Sequence, residues 1–426
     1  MLKTKQDCIN LDAQDPLRAL RDQFTLPPGV IYLDGNSLGP LPNTTADRVT
    51  RTITAEWGQG LIRSWNDAHW VDLPQRVGEK IAPLIGAGPR EVVATDSTSI
   101  NLFKVLSAAV TIAGQDTPYR FKVVSERSNF PTDLYIAEAL CKERGMTLVL
   151  VEPEDIRAAL TDDVAVLMLT HVNYRTGAMH DMQTVTHAAR SAGALMVWDL
   201  AHSAGAVPVD LTAAHADFAV GCGYKYFNGG PGAPAFVWVN ARHVDRFWQP
   251  LAGWWGHTAP FAFTPDYQPA RGVSRYLCGT QPILSMVALD CGLDTLLAAA
   301  PLGGIAALRA KSLQLTDLFI ELVEARCSQH GIRLVTPRSH NERGSQLCFT
   351  KPEGAYAIVQ ALIARGVIGD FRAGSDDGSV PDILRFGFTP LYLGFEDVWQ
   401  AVEHLTQVLE SGEWKNSPFN QIQAVT

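Results

Sequence analysis

Through the middle of the chain, short apolar runs alternate with segments of helical periodicity. Glu91 to Thr95, Phe121 to Ser125, Thr147 to Val151, Val164 to Thr170, Leu195 to Asp199 and Phe218 to Gly221 read as strands. Residues 100–113, 131–144 and 181–192 read as helices, and 155–160 as a helical turn. Apolar strands spaced by helices predict an α/β fold with a mostly parallel sheet covered on both faces. Ahead of this block lie helices near 43–57 and 74–85, with an aromatic loop from Gly58 to Trp70 between them. Beyond Pro282 the pattern turns helical, over 282–297 and 304–330. Strands at 345–350, 366–371 and 383–388, with helices near 354–365 and 395–410, predict a smaller α+β unit. This places a domain boundary near residue 300.

Ligands of such sheets bind beyond the carboxyl ends of the strands, so the residues just after each run carry the chemistry. After the run at 216–220 comes Gly-Cys-Gly-Tyr-Lys-Tyr-Phe-Asn-Gly-Gly-Pro-Gly, residues 221–232. Lys225 stands between Tyr224 and Tyr226 on a loop whose glycines allow close approach. A lysine on such a loop is a solvated tip or a reacting amine. The run at 195–199 ends in Asp199, with His202 three positions on. A carboxylate ending a buried strand is a helix cap, or it needs a cation to stay charged. A lysine for a Schiff base and an aspartate for a ring nitrogen are what pyridoxal 5′-phosphate (PLP) requires. Together, Lys225 and Asp199 favour that reading.

Other positions stay open between a structural and a chemical role. Ser97, Thr98 and Ser99 start a helix, and either cap it or hold a phosphate. Phe130-Pro131-Thr132-Asp133 places proline at the first helical position, and Phe130 could also stack on a planar ring. Arg385 in Leu-Arg-Phe-Gly-Phe is a surface ion pair or a fork for a substrate carboxylate. Trp65, Trp70, Trp254 and Trp255 pack under loops or line a slot for an aromatic substrate. Asp199 and His202 lack a third and fourth ligand, so no metal is expected.

Composition excludes several classes. With 426 residues, 46% hydrophobic, the chain can bury a large core. A net charge of −9 without a long basic run argues against nucleic acid or an anionic membrane as partner. Seven scattered cysteines without C-x-x-C spacing fit a reducing compartment. Residues 1–16 show no secretory h-region, and no uninterrupted apolar stretch approaches the roughly 18 residues of a membrane span. The expectation is a cytoplasmic protein.

Six motifs occur in one order: Gly-Asn-Ser-Leu-Gly at 35–39, Phe-Pro-Thr-Asp at 130–133, Asp-Leu-Ala-His at 199–202, Tyr-Lys-Tyr-Phe-Asn at 224–228, Gly-Trp-Trp-Gly-His at 253–257 and Glu-Arg-Gly-Ser-Gln-Leu at 342–347. Together they resemble kynureninase, a PLP-dependent hydrolase of the aminotransferase-type (type I) fold, over about residues 15–410. The resemblance implies a large PLP-binding domain at 46–300, a small C-terminal domain at 301–426, and an N-terminal segment, 1–45, serving the small domain and the active site. It implies hydrolysis of L-kynurenine, and more weakly of 3-hydroxykynurenine, to anthranilate and L-alanine.

It also implies roles. Lys225 would bind PLP covalently and act as base, Asp199 would pair with the ring nitrogen, His202 would lie beside the ring and Phe130 would stack on it. Thr98, Ser99, Tyr224 and Trp254 would hold the phosphate or its surroundings, with Trp254 reaching from the second subunit of a homodimer. Pro131, Thr132, Asp133, Thr170 and Thr280 match cofactor-contacting positions, and Tyr224 is the candidate acid. Arg385 would hold the substrate carboxylate, with Asn36 and Ser37 also on the substrate side. Trp65 and Thr280 match the aryl-end positions. Vertebrate-type enzymes carry His and Asn there and prefer the 3-hydroxylated substrate, whereas Trp and Thr resemble the bacterial pattern. The alternatives are a cysteine desulfurase or aminotransferase of the same fold, and an inactive binding protein on the PLP scaffold. Cys327 and Cys348 sit in helical and strand patterns, which weighs against a desulfurase's mobile nucleophile.

Overall fold

The computed structural model describes residues 2–423, so the outermost ends of the expected 1–45 and 301–426 spans lie outside the described residues. The fold divides into two units. One contains residues 44–173 and 180–293; the other contains the residues up to Asn43, Tyr174–Met179, and those from Asp294 onward.

The first unit is built on a seven-stranded sheet. Its elements are β1 (Val92–Thr95), α1 (Thr98–Asp116), β2 (Lys122–Glu126), α2 (Pro131–Arg144), β3 (Thr147–Val151), β4 (Val164–Thr170), α3 (Met182–Ser191), β5 (Leu195–Asp199), β6 (Phe218–Gly221) and β7 (Ala235–Val239). The strand order is β1-β7-β6-β5-β4-β2-β3. Strands β6, β5, β4, β2 and β3 pair parallel, and β7 runs antiparallel to both β1 and β6. The mostly parallel sheet is thus observed, with one reversed strand inserted near its edge. Strands β4, β6 and β7 are buried along their whole length, which is why they read as continuous apolar runs. Helix α1 supplies Leu102, Val105, Leu106, Ala109 and Ile112 to the core against Val93, Val166, Val197 and Val220.

Residues 58–70, expected as a loop, are wound. A π-helical stretch, Thr52–Gly60, leads through a 3-10 turn at Leu61–Arg63 into a short helix at Ser64–Asp67. Glu56 closes this segment on itself. Its carboxylate meets Arg48 at 2.8 Å and accepts from Trp70 Nε1 at 3.0 Å, and its carbonyl accepts from Ser64 Oγ at 2.5 Å. The apolar helix was also understated. The segment Ile283–Leu302 is 20 residues with mean hydropathy 1.7, long and apolar enough by composition to cross a membrane. Half of that window is buried within the protein, and Asp290 in it pairs with Lys80 at 2.8 Å, as suits a core helix.

The second unit holds a four-stranded sheet of Arg333–Leu334, Gln346–Thr350, Ile383–Gly387 and Asp370–Arg372, all antiparallel. The single strand expected at 366–371 is two. Val367–Ile368 pairs parallel with Ile31–Tyr32, while Asp370–Arg372 pairs with Ile383–Arg385. The break falls at Gly369, where a Cβ would lie 2.8 Å from the Phe386 ring. Helix Gly304–Cys327 packs Phe319 on Phe349 and Phe386 of the sheet, Ala355–Ala364 lies against Asp370–Arg372 and Ile383–Gly387, and Phe395–Ser411 packs on both helices.

Candidate active site

The chemistry of the first unit gathers at one edge of its sheet. Thr170, ending β4, is the register partner of Asp199, ending β5, and Asp199 is opposite Val220 in β6. Five residues past Val220 the loop presents Lys225. That loop is compressed: a Cβ on Gly223 would fall 2.2 Å from the Pro234 carbonyl, and Gly230 has φ +78°.

Lys225 Nζ is 2.9 Å from His202 Nε2. It lies 5.8 Å from the centre of the Phe130 ring and 5.7 Å from that of Tyr224. Phe130 precedes α2 and is 39% exposed, large for an aromatic ring in the middle of a site.

Beneath them is a buried acidic pair. Asp199 is 3% and Asp133 1% exposed. Asp199 Oδ1 accepts from the Ala201 amide at 2.8 Å. The Thr170 hydroxyl faces three acceptors: Asn129 Oδ1, Asp199 Oδ2 at 3.3 Å and Asp133 Oδ2 at 3.4 Å. One hydroxyl proton serves only one of them. Among the described residues, Asp133 Oδ1 has no hydrogen-bond partner. Burial, and then the charge of Asp199, lift the Asp133 carboxyl well above the usual range. Burial also raises Asp199, opposed by the Ala201 amide and the Lys225 charge. Asp133 is therefore the member that keeps its proton and Asp199 the one that ionises, most readily beside a further cation.

Ser97 caps α1, its hydroxyl accepting from the Ile100 amide. Ser99 Oγ meets Thr132 Oγ1 at 3.0 Å, which joins the first turns of α1 and α2. Thr98, Ser99, Pro131 and Thr132 are all half-buried. Trp65 packs against Trp70 and Trp255, with centroids 5.7 and 5.1 Å away. Trp254 belongs to an aromatic group with Trp255, Phe261 and Phe263. Thr280 is exposed.

In the second unit Arg385 is 1% exposed, so it is no surface ion pair. Its guanidinium reaches Ser37 Oγ at 2.8 Å and the Tyr174 carbonyl at 3.0 Å, and it pairs with the Asp370 carboxylate, its register partner. Arg372 meets the same Asp370 oxygen at 2.6 Å. Asn36 is fully buried, with both side-chain amide atoms lacking partners among the described residues. The sequence reading missed Asn129 and Asp370. Asn129 adjoins Phe130 on the same loop and was findable; Asp370 is revealed only by the strand pairing.

Comparison with known proteins decides the family. The chain is 57% identical over 428 residues to a kynureninase of Burkholderia mallei (strain SAVP1), and 56% identical over 428 residues to one of Pseudomonas fluorescens; both alignments cover all of each chain. The chain belongs to the kynureninase family.

Residues 308–405 match the model of the kynureninase C-terminal domain. Among solved structures, an apo cysteine desulfurase of Thermococcus onnurineus NA1 superposes with a TM-score of 0.76 at 19% identity, covering 92% of this chain and 98% of that one. A C-DES variant with glycine covalently linked to its PLP cofactor gives 0.74 at 17%, covering 91% and 98%. These likenesses establish the type I fold. As a kynureninase-family member the protein is a PLP-dependent enzyme. The residues present fit that cofactor: a buried Asp199 whose charge burial disfavours, a lysine on the neighbouring loop, an exposed ring at Phe130, and hydroxyls at the start of a 19-residue helix. The desulfurase alternative is not favoured: Cys327 and Cys348 are both fully buried.

Proposed function

We propose that the protein hydrolyses L-kynurenine to anthranilate and L-alanine by cleaving Cβ–Cγ, with Lys225 as the residue that carries PLP and moves the α-proton. The observation that carries this reading is the Lys225 amine 2.9 Å from His202 on the strand edge that ends in Asp199. Bound there, PLP would supply an electron sink that acidifies the substrate's α-hydrogen and stabilises negative charge at the α-carbon and then at the β-carbon. Asp199 provides the negative charge for the ring nitrogen, and Asp133 with Thr170 and Ala201 fixes that carboxylate. Phe130 and His202 bound the ring, while Thr98, Ser99 and Tyr224 receive the phosphate, with Pro131 and Thr132 shaping the neighbouring turn. Water adds to the γ-carbonyl, anthranilate leaves, and Tyr224 returns a proton to the β-carbon.

Arg385 takes the α-carboxylate, aided by Asn36 and Ser37. Trp65 and Thr280 face the aryl group, favouring kynurenine over its 3-hydroxy form. By this reading residues 46–300 hold the cofactor, and 1–45 with 301–426 serve the substrate. We further propose a cytoplasmic homodimer in which Trp254 serves the partner subunit's cofactor. Supporting this, Trp254, Phe261 and Phe263 are 39, 52 and 76% exposed, an apolar patch unusual on a monomer.

Mixing the purified protein with kynurenine should release fluorescent anthranilate. Lys225→Ala should abolish release while leaving the circular dichroism spectrum unchanged; release by that variant at the wild-type rate refutes the assignment.

A further inference from the structure

The hydroxyls offered to the phosphate stand on a backbone held by the ion pair of a fully buried lysine with the half-buried Asp96. Asp96, just before Ser97, has φ +44°. A non-glycine residue enters that left-handed region at a cost of about 1 kcal/mol or more. Three contacts keep it there. The Ala235 amide donates to the Asp96 carbonyl at 2.8 Å. Thr95 Oγ1 donates to Asp96 Oδ2 at 2.8 Å, and Lys104 Nζ lies 2.5 Å from that same oxygen.

Lys104 is fully buried, one helical turn past Ile100 on α1. Its ammonium also donates to the Tyr276 carbonyl at 2.5 Å. Tyr276 ends a 3-10 turn, Gly272–Tyr276, from which the chain runs on to Thr280. Stability alone does not account for a lysine here. Its helix neighbours Leu102, Val105, Leu106 and Ala108 are core residues. Replacing a buried ion pair by well-packed hydrophobic side chains is often neutral or stabilising. Capping does not account for it either, because Ser97 caps α1 by itself.

We propose that Lys104 is a positioning residue for the PLP phosphate. It holds Asp96 in its left-handed conformation, so that the first turn of α1 offers its amides and the Thr98 and Ser99 hydroxyls to the anion. Through the Tyr276 carbonyl it ties that turn to the 276–280 segment. The inference rests on the reading that Thr98 and Ser99 receive the phosphate.

The test compares PLP with pyridoxal, which lacks the phosphate but offers Lys225 the same aldehyde. The PLP-stripped full-length protein is titrated with each, and dissociation constants are read from visible absorption. Lys104→Met should weaken PLP by at least about tenfold and leave pyridoxal within about twofold of wild type. The double variant Asp96→Asn/Lys104→Met leaves no unpaired buried charge and carries the same expectation. Equal changes for the two ligands, or none for either, overturn the proposal. So does failure of both variants to fold, since the pair would then serve the core. Ser99→Ala separates the two levels of the argument. If it too spares the PLP-to-pyridoxal ratio, the phosphate reading itself fails; if it lowers the ratio while Lys104→Met does not, only the role of Lys104 falls.

Discussion

Two buried aspartates at the ends of strands meet opposite electrostatic fates. Asp370, in the second unit, shares one oxygen between Arg385 and Arg372 and a bond with Ser37. Its charge is answered by the protein itself. Asp199, in the first unit, faces the Ala201 amide, a hydroxyl contested by three acceptors, and a second carboxyl. A buried carboxylate left this short of donors costs several kcal/mol, which a ligand cation at the site would offset. The contrast separates a charge pair built to hold an arginine still from a charge held in readiness for something the chain does not encode. It also bears on Arg385: in the proposed role, a substrate carboxylate would share that guanidinium with Asp370.

The largest effect should come from the under-compensated member. Asp199→Asn removes the proposed partner for the ring nitrogen and should lower kcat for anthranilate release by about 10²–10⁴-fold, the range for loss of one well-placed ionisable group. The PLP-free form of this variant should melt no lower than wild type, because burial disfavours the Asp199 charge and asparagine carries none. A kcat within tenfold of wild type, or a sharply lower melting temperature, would erase the distinction between the two aspartates.

Arg385→Lys comes next. Lysine keeps the charge but loses the planar fork that bonds two oxygens at once. The expected result is a KM for kynurenine raised about ten- to a hundredfold, or about 1.4–2.8 kcal/mol, with kcat changed far less. Unchanged KM would mean that Arg385 serves Asp370 and not the substrate.

How far these features could be read from the sequence depends on the range of the forces involved. Strands β3 to β6 match the apolar runs residue for residue, because each is bounded by turn residues, and β4 to β6 are also packed within the sheet, of which β3 is the half-buried edge. Lys225, Asp199 and Thr170 were legible for the same reason: each stands where an apolar run stops. The reversed β7 was not, since its insertion between β1 and β6 depends on pairing that no local pattern records. Lys104 looks like any solvated lysine on a helix until the strand and the 276 turn close over it. The winding of 52–67 escaped because Glu56, a residue of ordinary appearance, supplies both its carboxylate and its carbonyl to the closure. The split at Gly369 escaped because the ring that forces it, Phe386, belongs to another strand.

A last effect, on stability and not on turnover, concerns Asp34, which shares the neighbourhood of Asp370 and Arg385. Burial, and then the Asp370 charge, push its carboxyl up to about 7, against 3.8 for a free aspartate. Between those values the folded chain keeps a proton that the unfolded chain has released. Stability attributable to Asp34 is therefore complete below about pH 4 and declines as pH rises to about 7, by at most about 4 kcal/mol. Above that the folded protein carries an ionised Asp34 beside an ionised Asp370. Asp34→Asn cannot ionise and escapes the decline. In urea unfolding, wild type should lose stability relative to Asp34→Asn as pH is raised from 4 to 7.5. Equal slopes for the two proteins would show that Arg385 and Arg372 already neutralise both carboxylates.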